Sequence, residues 1–163
     1  MAEYRVPLKD MSFLLHDVFN VENLWKSLPK LSEHVDVETA DAILQECAKI
    51  AEQVVAPISR EGDEIGVSFD SGNVTTAPGY KEAFKTYAEG GWTSLGGDPN
   101  YGGMGMPKMI TALHEEMLCA ADISFSLYPG LTAGAGLSIA KHGSEELKER
   151  YLTRLYTGEW AAS

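Results

Sequence analysis

The sequence predicts an all-α fold on two observations: apolar residues recur every three or four positions through most of the chain, and alternating strand patterns are almost absent. A third observation, glycine and proline punctuation between the periodic stretches, divides the chain into separate helices. With 163 residues, 44% of them hydrophobic, it can bury one core: a helical domain over residues 36–163 behind a short extension over residues 1–35. It carries no internal repeat and no low-complexity linker.

In the extension, Tyr4, Val6, Pro7 and Leu8 read as an extended lead. Met11, Leu14, Leu15 and Val18 then sit at helical spacing, which predicts one short helix docked on the body. From Asp36 onward Ile43, Cys47, Ile50, Val54 and Ile58 recur with Ala40, Leu44, Ala48, Ala51 and Val55 beside them, a long helix buried on a broad face. Pro57 lies inside that pattern without an N–H to give, so a kink is expected there, with the helix resuming at Ile58.

Gly66, Gly72, Asn73, Pro78 and Gly79 mark a loop with a short extended piece at Asn73 to Thr76. Tyr80, Phe84, Tyr87 and Ala88 form an aromatic helical stripe, followed by a glycine-dense stretch from Gly90 to Gly105. Pro107 opens a helix as a first-turn residue, with Ile110, Leu113, Met117 and Leu118 on one face. Leu131 to Ala140 reads as a closely packed helix through Ala133, Gly134, Ala135 and Gly136. Gly143 suits a left-handed stop, Ser144 with Glu145 and Glu146 starts the last helix, and Leu147, Tyr151 and Leu155 mark its inner face.

A formal charge of −11 and a pI near 4.7 oppose nucleic-acid backbones and anionic membrane surfaces, because approach begins with repulsion. No apolar stretch reaches the roughly 18 residues that a membrane span needs. Cys47 and Cys119 lie far apart in apolar helical patterns, with no secretory signal ahead of them, and read as buried reduced thiols of a soluble cytoplasmic protein.

Read from residue types alone, no constellation carries chemistry. Gly103, Gly105 and Lys108 give GxGxxK without a preceding strand, so a loop needing close backbone approach around Trp92 and Tyr101 explains the glycines better than a phosphate cradle. His114-Glu115-Glu116 begins like a zinc-protease motif, but the fifth position is Leu118 and the second ligand is missing, so no metal is expected. His16, His34, His114 and His142 are scattered, and Ser124, Ser126 and Ser163 stand in no relation to a base.

Three stretches in series carry a resemblance: Gly91-Trp92-Thr93-Ser94-Leu95 leading to Pro99-Asn100-Tyr101-Gly102-Gly103-Met104-Gly105, then Glu115 to Asp122, then Gly143-Ser144-Glu145-Glu146-Leu147-Lys148 through Tyr151-Leu152 to Thr157-Gly158-Glu159-Trp160. In this order and spacing the chain resembles the N-terminal helical-bundle domain of the acyl-CoA dehydrogenases over about residues 37–160. Tyr4 to Phe13 further resembles extended members of that family, such as the 3-methylmercaptopropionyl-CoA dehydrogenases.

The resemblance implies a flavoenzyme of fatty acid metabolism, in which a glutamate takes the α-proton of an acyl-CoA thioester and a β-hydride passes to FAD. In that family a middle β-domain holds much of the flavin and a second helical domain supplies the base. The sequence stops after Thr157-Gly158-Glu159, ahead of the family's Thr-Glu-Pro strand, so no catalytic or flavin-binding residue is assigned and no FAD is expected on this segment alone. Phe125, Leu127, Tyr128, Leu131 and Gly134 lie where the family's acyl-facing helices begin and are the candidate pocket wall, with plain core packing as the competing reading. Tyr128-Pro129-Gly130 would put an aromatic at the pocket floor. Two functions follow: an N-terminal segment of an acyl-CoA dehydrogenase, inactive alone and homo-oligomeric in the intact enzyme, or a stand-alone helical interaction or dimerisation module.

Overall fold

The computed structural model describes residues 3–32 and 35–162, and the expectations for His34 and Ser163 lie outside them. The chain is mainly helical, as predicted. Helix α1 (Leu8–Phe13) continues through a π-helical turn, Leu14–Val18, and is followed by α2 (Val21–Lys26) and α3 (Pro29–Ser32). Where one docked helix was expected the extension therefore forms several short ones, and Met11, Leu15, Val21 and Trp25 join the same core as the body. Leu14 and Val18, expected on the packed face, point outward. Glu52 straps this segment down by accepting the Val6 N–H at 2.7 Å and the Arg5 guanidinium at 3.1 Å. The Tyr4 hydroxyl donates to the Met117 carbonyl.

Asp36 caps α4 (Val37–Ile50), its carboxylate accepting the Thr39 N–H at 2.7 Å. Ala40, Leu44, Cys47, Ala48, Ala51 and Val55 are buried as the periodicity predicts. The irregularity foreseen at Pro57 takes the form of a π-helical turn, Ala51–Val55, just ahead of it. Widening the helix there eases the clash between the proline ring and the preceding turn, so the chain runs on as α5 (Ala56–Ile65).

The loop that follows is a small antiparallel hairpin, β1 (Ser68–Asp70) with β2 (Asn73–Thr75), paired Phe69 to Val74. Its first strand was not foreseen. Ser71 and Gly72 both take positive φ, the two-residue turn that twists with a hairpin.

Helix α6 (Tyr80–Glu89) buries Ala83 and Tyr87, and α7 (Lys108–Ala121) buries Ile110, His114, Met117 and Leu118. On α7 Cys119 lies off this stripe and is exposed, contrary to the expectation that both thiols are buried; Cys47 is buried. Helix α8 (Ile123–His142) begins eight residues before the expected start and runs through Pro129 without a break. Helix α9 (Glu145–Tyr156) turns Leu152, Leu155 and Tyr156 inward, whereas Leu147 is exposed and Tyr151 is half-buried. Its inner edge includes Lys148, whose stem lies half-covered while its ammonium reaches Glu145 at 2.8 Å. The bundle is built by α4 packing on α7, α7 on α8 and α8 on α9.

Gly143 is not left-handed: its φ is −71° and its ψ 151°. Glycine is needed there for space, because a Cβ would stand 2.6 Å from the Ile139 carbonyl oxygen. Among the described residues no helix is long and apolar enough to cross a membrane.

Candidate functional site

Asp122 sets the geometry of α8. Extended at φ −163°, it breaks α7 from α8, and its side chain accepts the Phe125 N–H at 2.9 Å. The other carboxylate oxygen accepts the Tyr80 hydroxyl, so one buried aspartate caps the helix and fastens it to α6. Burial, followed by this carboxylate's hydrogen bond and charge, pushes the Tyr80 hydroxyl well above the usual phenol range.

From that corner α8 presents two apolar faces. The inner one carries Phe125, Ser126, Pro129, Thr132 and Gly136 against the bundle. The outer one carries Ile123 (64% exposed), Leu127 (58%), Tyr128 (52%), Leu131 (54%) and Leu137 (58%). Gly130 and Gly134 lie among them with open space where a Cβ would project. A helix that is apolar all round is a helix built to be covered on both sides. Each of these leucines is still a little more than half exposed, and covering the rest stabilises by about 1 kcal/mol apiece, so together they make this face a site for a second surface.

Of the five candidate wall residues, the structure places Leu127, Tyr128, Leu131 and Gly134 together on the outer face and Phe125 inside. Phe125 is 2% exposed, edge-on to Tyr87 at 5.8 Å and tilted to Tyr80 at 6.3 Å. Tyr128 stands edge-on to Phe84 at 4.6 Å, which holds its ring at the rim of the outer face. Ile123 and Leu137 extend the face and were missed. Ile123 stands four residues before Leu127 and Leu137 three after Gly134, both helical spacings, and reading the helix as starting at Leu131 hides the first of them.

The glycine stretch is a closed packing loop. The Gly103 N–H donates to Asp98, Met104 to Ser94, Gly105 to Gly97 and Met106 to Leu95, so these amides are spent inside the loop. A Cβ on Gly103 would lie 2.0 Å from the Gly97 carbonyl carbon, the close backbone approach that the sequence suggested. Tyr156 seals the loop: its ring packs on Gly97, its hydroxyl accepts the Asp98 N–H at 3.2 Å, and its carbonyl accepts the Thr93 hydroxyl. This loop offers no free amide cradle for a flavin pyrophosphate.

Among the other singled-out groups, His16 meets Asp41 at 2.8 Å, the Ser126 hydroxyl donates to the Ile123 carbonyl, and His142 is exposed. His114 is buried between Tyr87 and Trp92. The described residues hold no cluster of three or more His, Cys, Asp or Glu side chains suited to a metal ion.

Residues 37–159 match the family model described as acyl-CoA dehydrogenase, N-terminal domain. The chain is 33% identical over 98% of its length to 3-methylmercaptopropionyl-CoA dehydrogenase of Ruegeria pomeroyi, covering 27% of that protein. It is 31% identical over 98% of its length to a butyryl-CoA dehydrogenase of Syntrophomonas wolfei, covering 26% of it. Against the broad-specificity linear acyl-CoA dehydrogenase of Mycobacterium tuberculosis it is 36% identical over 91% of its length, covering 24%. The chain thus spans about a quarter of the length of these relatives. The helical bundle, the matched stretch and the full-length alignment agree: this chain belongs to the acyl-CoA dehydrogenase family, as its N-terminal domain.

Proposed function

We propose that this chain is the N-terminal part of a cytoplasmic, homo-oligomeric, FAD-dependent acyl-CoA dehydrogenase and that it is inactive alone. The reaction is α,β-dehydrogenation of an acyl-CoA thioester, with the flavin and the proton-abstracting base held by parts of the enzyme outside these residues. The observation that carries the reading is the open outer face of α8 within a chain that spans about a quarter of its relatives. In this reading Leu127, Tyr128, Leu131 and Gly134 wall the acyl pocket, while Phe125 supports them from behind.

The test compares the purified chain with the same chain co-expressed with the remaining family domains. The chain alone is expected to be colourless and unable to reduce an acceptor dye with acyl-CoA; the assembled protein is expected to carry flavin absorbance and to bleach with substrate. Stoichiometric FAD on the chain alone would overturn the account of where the flavin is held.

The same open face favours a second reading, a helical module that pairs with itself or a partner without catalysis. Failure of the family domains to bind the chain, together with a stable dimer of the chain alone, would select it.

A further inference from the structure

The hairpin after α5 carries the most exposed large apolar side chains among the described residues: Phe69 (72% exposed), Val67 (67%) and Val74 (65%). Phe69 and Val74 stand opposite each other across the strands. Side chains alternate along a strand, so these two share one face while Ser68, Asp70, Asn73 and Thr75 share the other. Every residue from Val67 to Thr76 is exposed. A lone two-stranded hairpin is marginal in water and holds when its apolar face is covered. Both strands are also open edges, with no lysine or proline in them to turn a partner away.

The stem of this hairpin is clamped. Ala77 is buried, a Cβ on Gly62 would stand 2.5 Å from the Tyr80 ring, and one on Gly79 would stand 2.7 Å from the Ile58 side chain. Helix α5 and the start of α6 therefore close on each other at the root. The Gly66 N–H donates to the Gly62 carbonyl at 2.8 Å and ends α5 at a fixed place. An apolar face on a fixed stem loses little freedom when it docks.

Size and charge decide what docks there. Stable interfaces between separate proteins take roughly 20–30 residues and 800 Å² a side, far more than one face of a short hairpin supplies. A surface on the same polypeptide needs much less, because the tether raises its effective concentration to roughly millimolar. The chain matches its relatives over 98% of its own length yet spans about a quarter of theirs, so most of such a protein lies outside these residues. Between residues 60 and 76 the charges are Glu61, Asp63, Glu64 and Asp70 against Arg60 alone, which repels an anionic membrane and suits a cationic rim.

We propose that the apolar face of this hairpin is a docking arm for the remainder of the same polypeptide, taking an apolar surface rimmed by lysine or arginine through residues other than those of the α8 face. The inference rests on the reading of the chain as the N-terminal part of a longer enzyme. Docking takes Phe69 and Val74 out of water and holds the two short strands paired.

The experiment is hydrogen–deuterium exchange read by mass spectrometry, on the chain alone and on the chain co-expressed with the remaining family domains. In the chain alone the amides of residues 67–76 are expected to exchange fast at any protein concentration; in the assembled protein they should exchange more slowly by about tenfold or more. Assembled Phe69→Asp should keep its flavin and exchange its hairpin as fast as the chain alone does, with Phe69→Ser as the second variant should the aspartate disturb folding. Fast hairpin exchange in flavin-loaded wild type, or protection that survives in both variants, would overturn the arm alone. Protection that grows with concentration in the chain alone would overturn it by making a second copy the occupant. A wild-type chain that captures no family domain and no flavin would overturn the parent reading and the arm together.

Discussion

The Tyr80 hydroxyl and the Phe125 amide share one acceptor, the buried carboxylate of Asp122, so the start of α8 is fixed to α6 and to its own first turn by a single side chain. Asp122→Ala removes the cap and strands the Tyr80 hydroxyl, and is expected to cost about 2–3 kcal/mol in urea unfolding. Tyr80→Phe should cost about 1 kcal/mol, and the double variant less than the sum, because the two changes delete one shared bond.

Gly103 faces a different constraint. A methyl group there would enter the Gly97 backbone, which cannot give way as a side-chain end would. Gly103→Ala is expected to lose 2 kcal/mol or more, roughly the upper range for overpacking. Gly72→Ala, at a positive φ with open space around it, should cost about 1 kcal/mol. Thermal unfolding of the two variants side by side checks the order.

The cysteines separate by exposure. Cys119 is exposed, whereas Cys47 is buried in α4 with its thiol pushed up to about 12 by desolvation. A thiol-reactive chromophore at pH 8 is expected to label Cys119 promptly in the folded chain and both residues after denaturation. Equal labelling of both without denaturant would show that α4 opens readily.

Most of the bundle is legible in the sequence because a helix buried on one face writes its period into the chain. Ala40, Leu44, Cys47, Ala48, Ala51 and Val55 show this, and Asp36 supplies the cap. Helix α8 is not legible in the same way: apolar on both faces, with Pro129, Gly130 and Gly134 inside, it has no period to read and its start is set by Asp122 instead. Gly143 misleads for a related reason, since a glycine after a helix can answer to φ or to space, and only the 2.6 Å approach to Ile139 decides. The candidate wall came from resemblance, and side-chain direction, which puts Phe125 inside and Leu127 outside, came from the fold.

The outer face of α8 yields a prediction that separates folding from assembly. Leu127 and Leu131 are more than half exposed, so Leu127→Lys and Leu131→Glu remove little buried area and should change the chain's stability by about 0.5 kcal/mol or less. Assembly is another matter: a charge on a face that a partner desolvates leaves a buried ion without a counter-charge, a penalty of several kcal/mol. Sedimentation of the chain alone should therefore show concentration-dependent association that both substitutions abolish while its unfolding midpoint stays put. Joined to the remaining family domains, the same variants should lose bound flavin and acyl-CoA-dependent dye reduction together. An assembled Leu131→Glu enzyme that keeps its flavin and its preference across acyl lengths would show that this face stays in water, and would remove Leu127, Tyr128, Leu131 and Gly134 from the pocket wall.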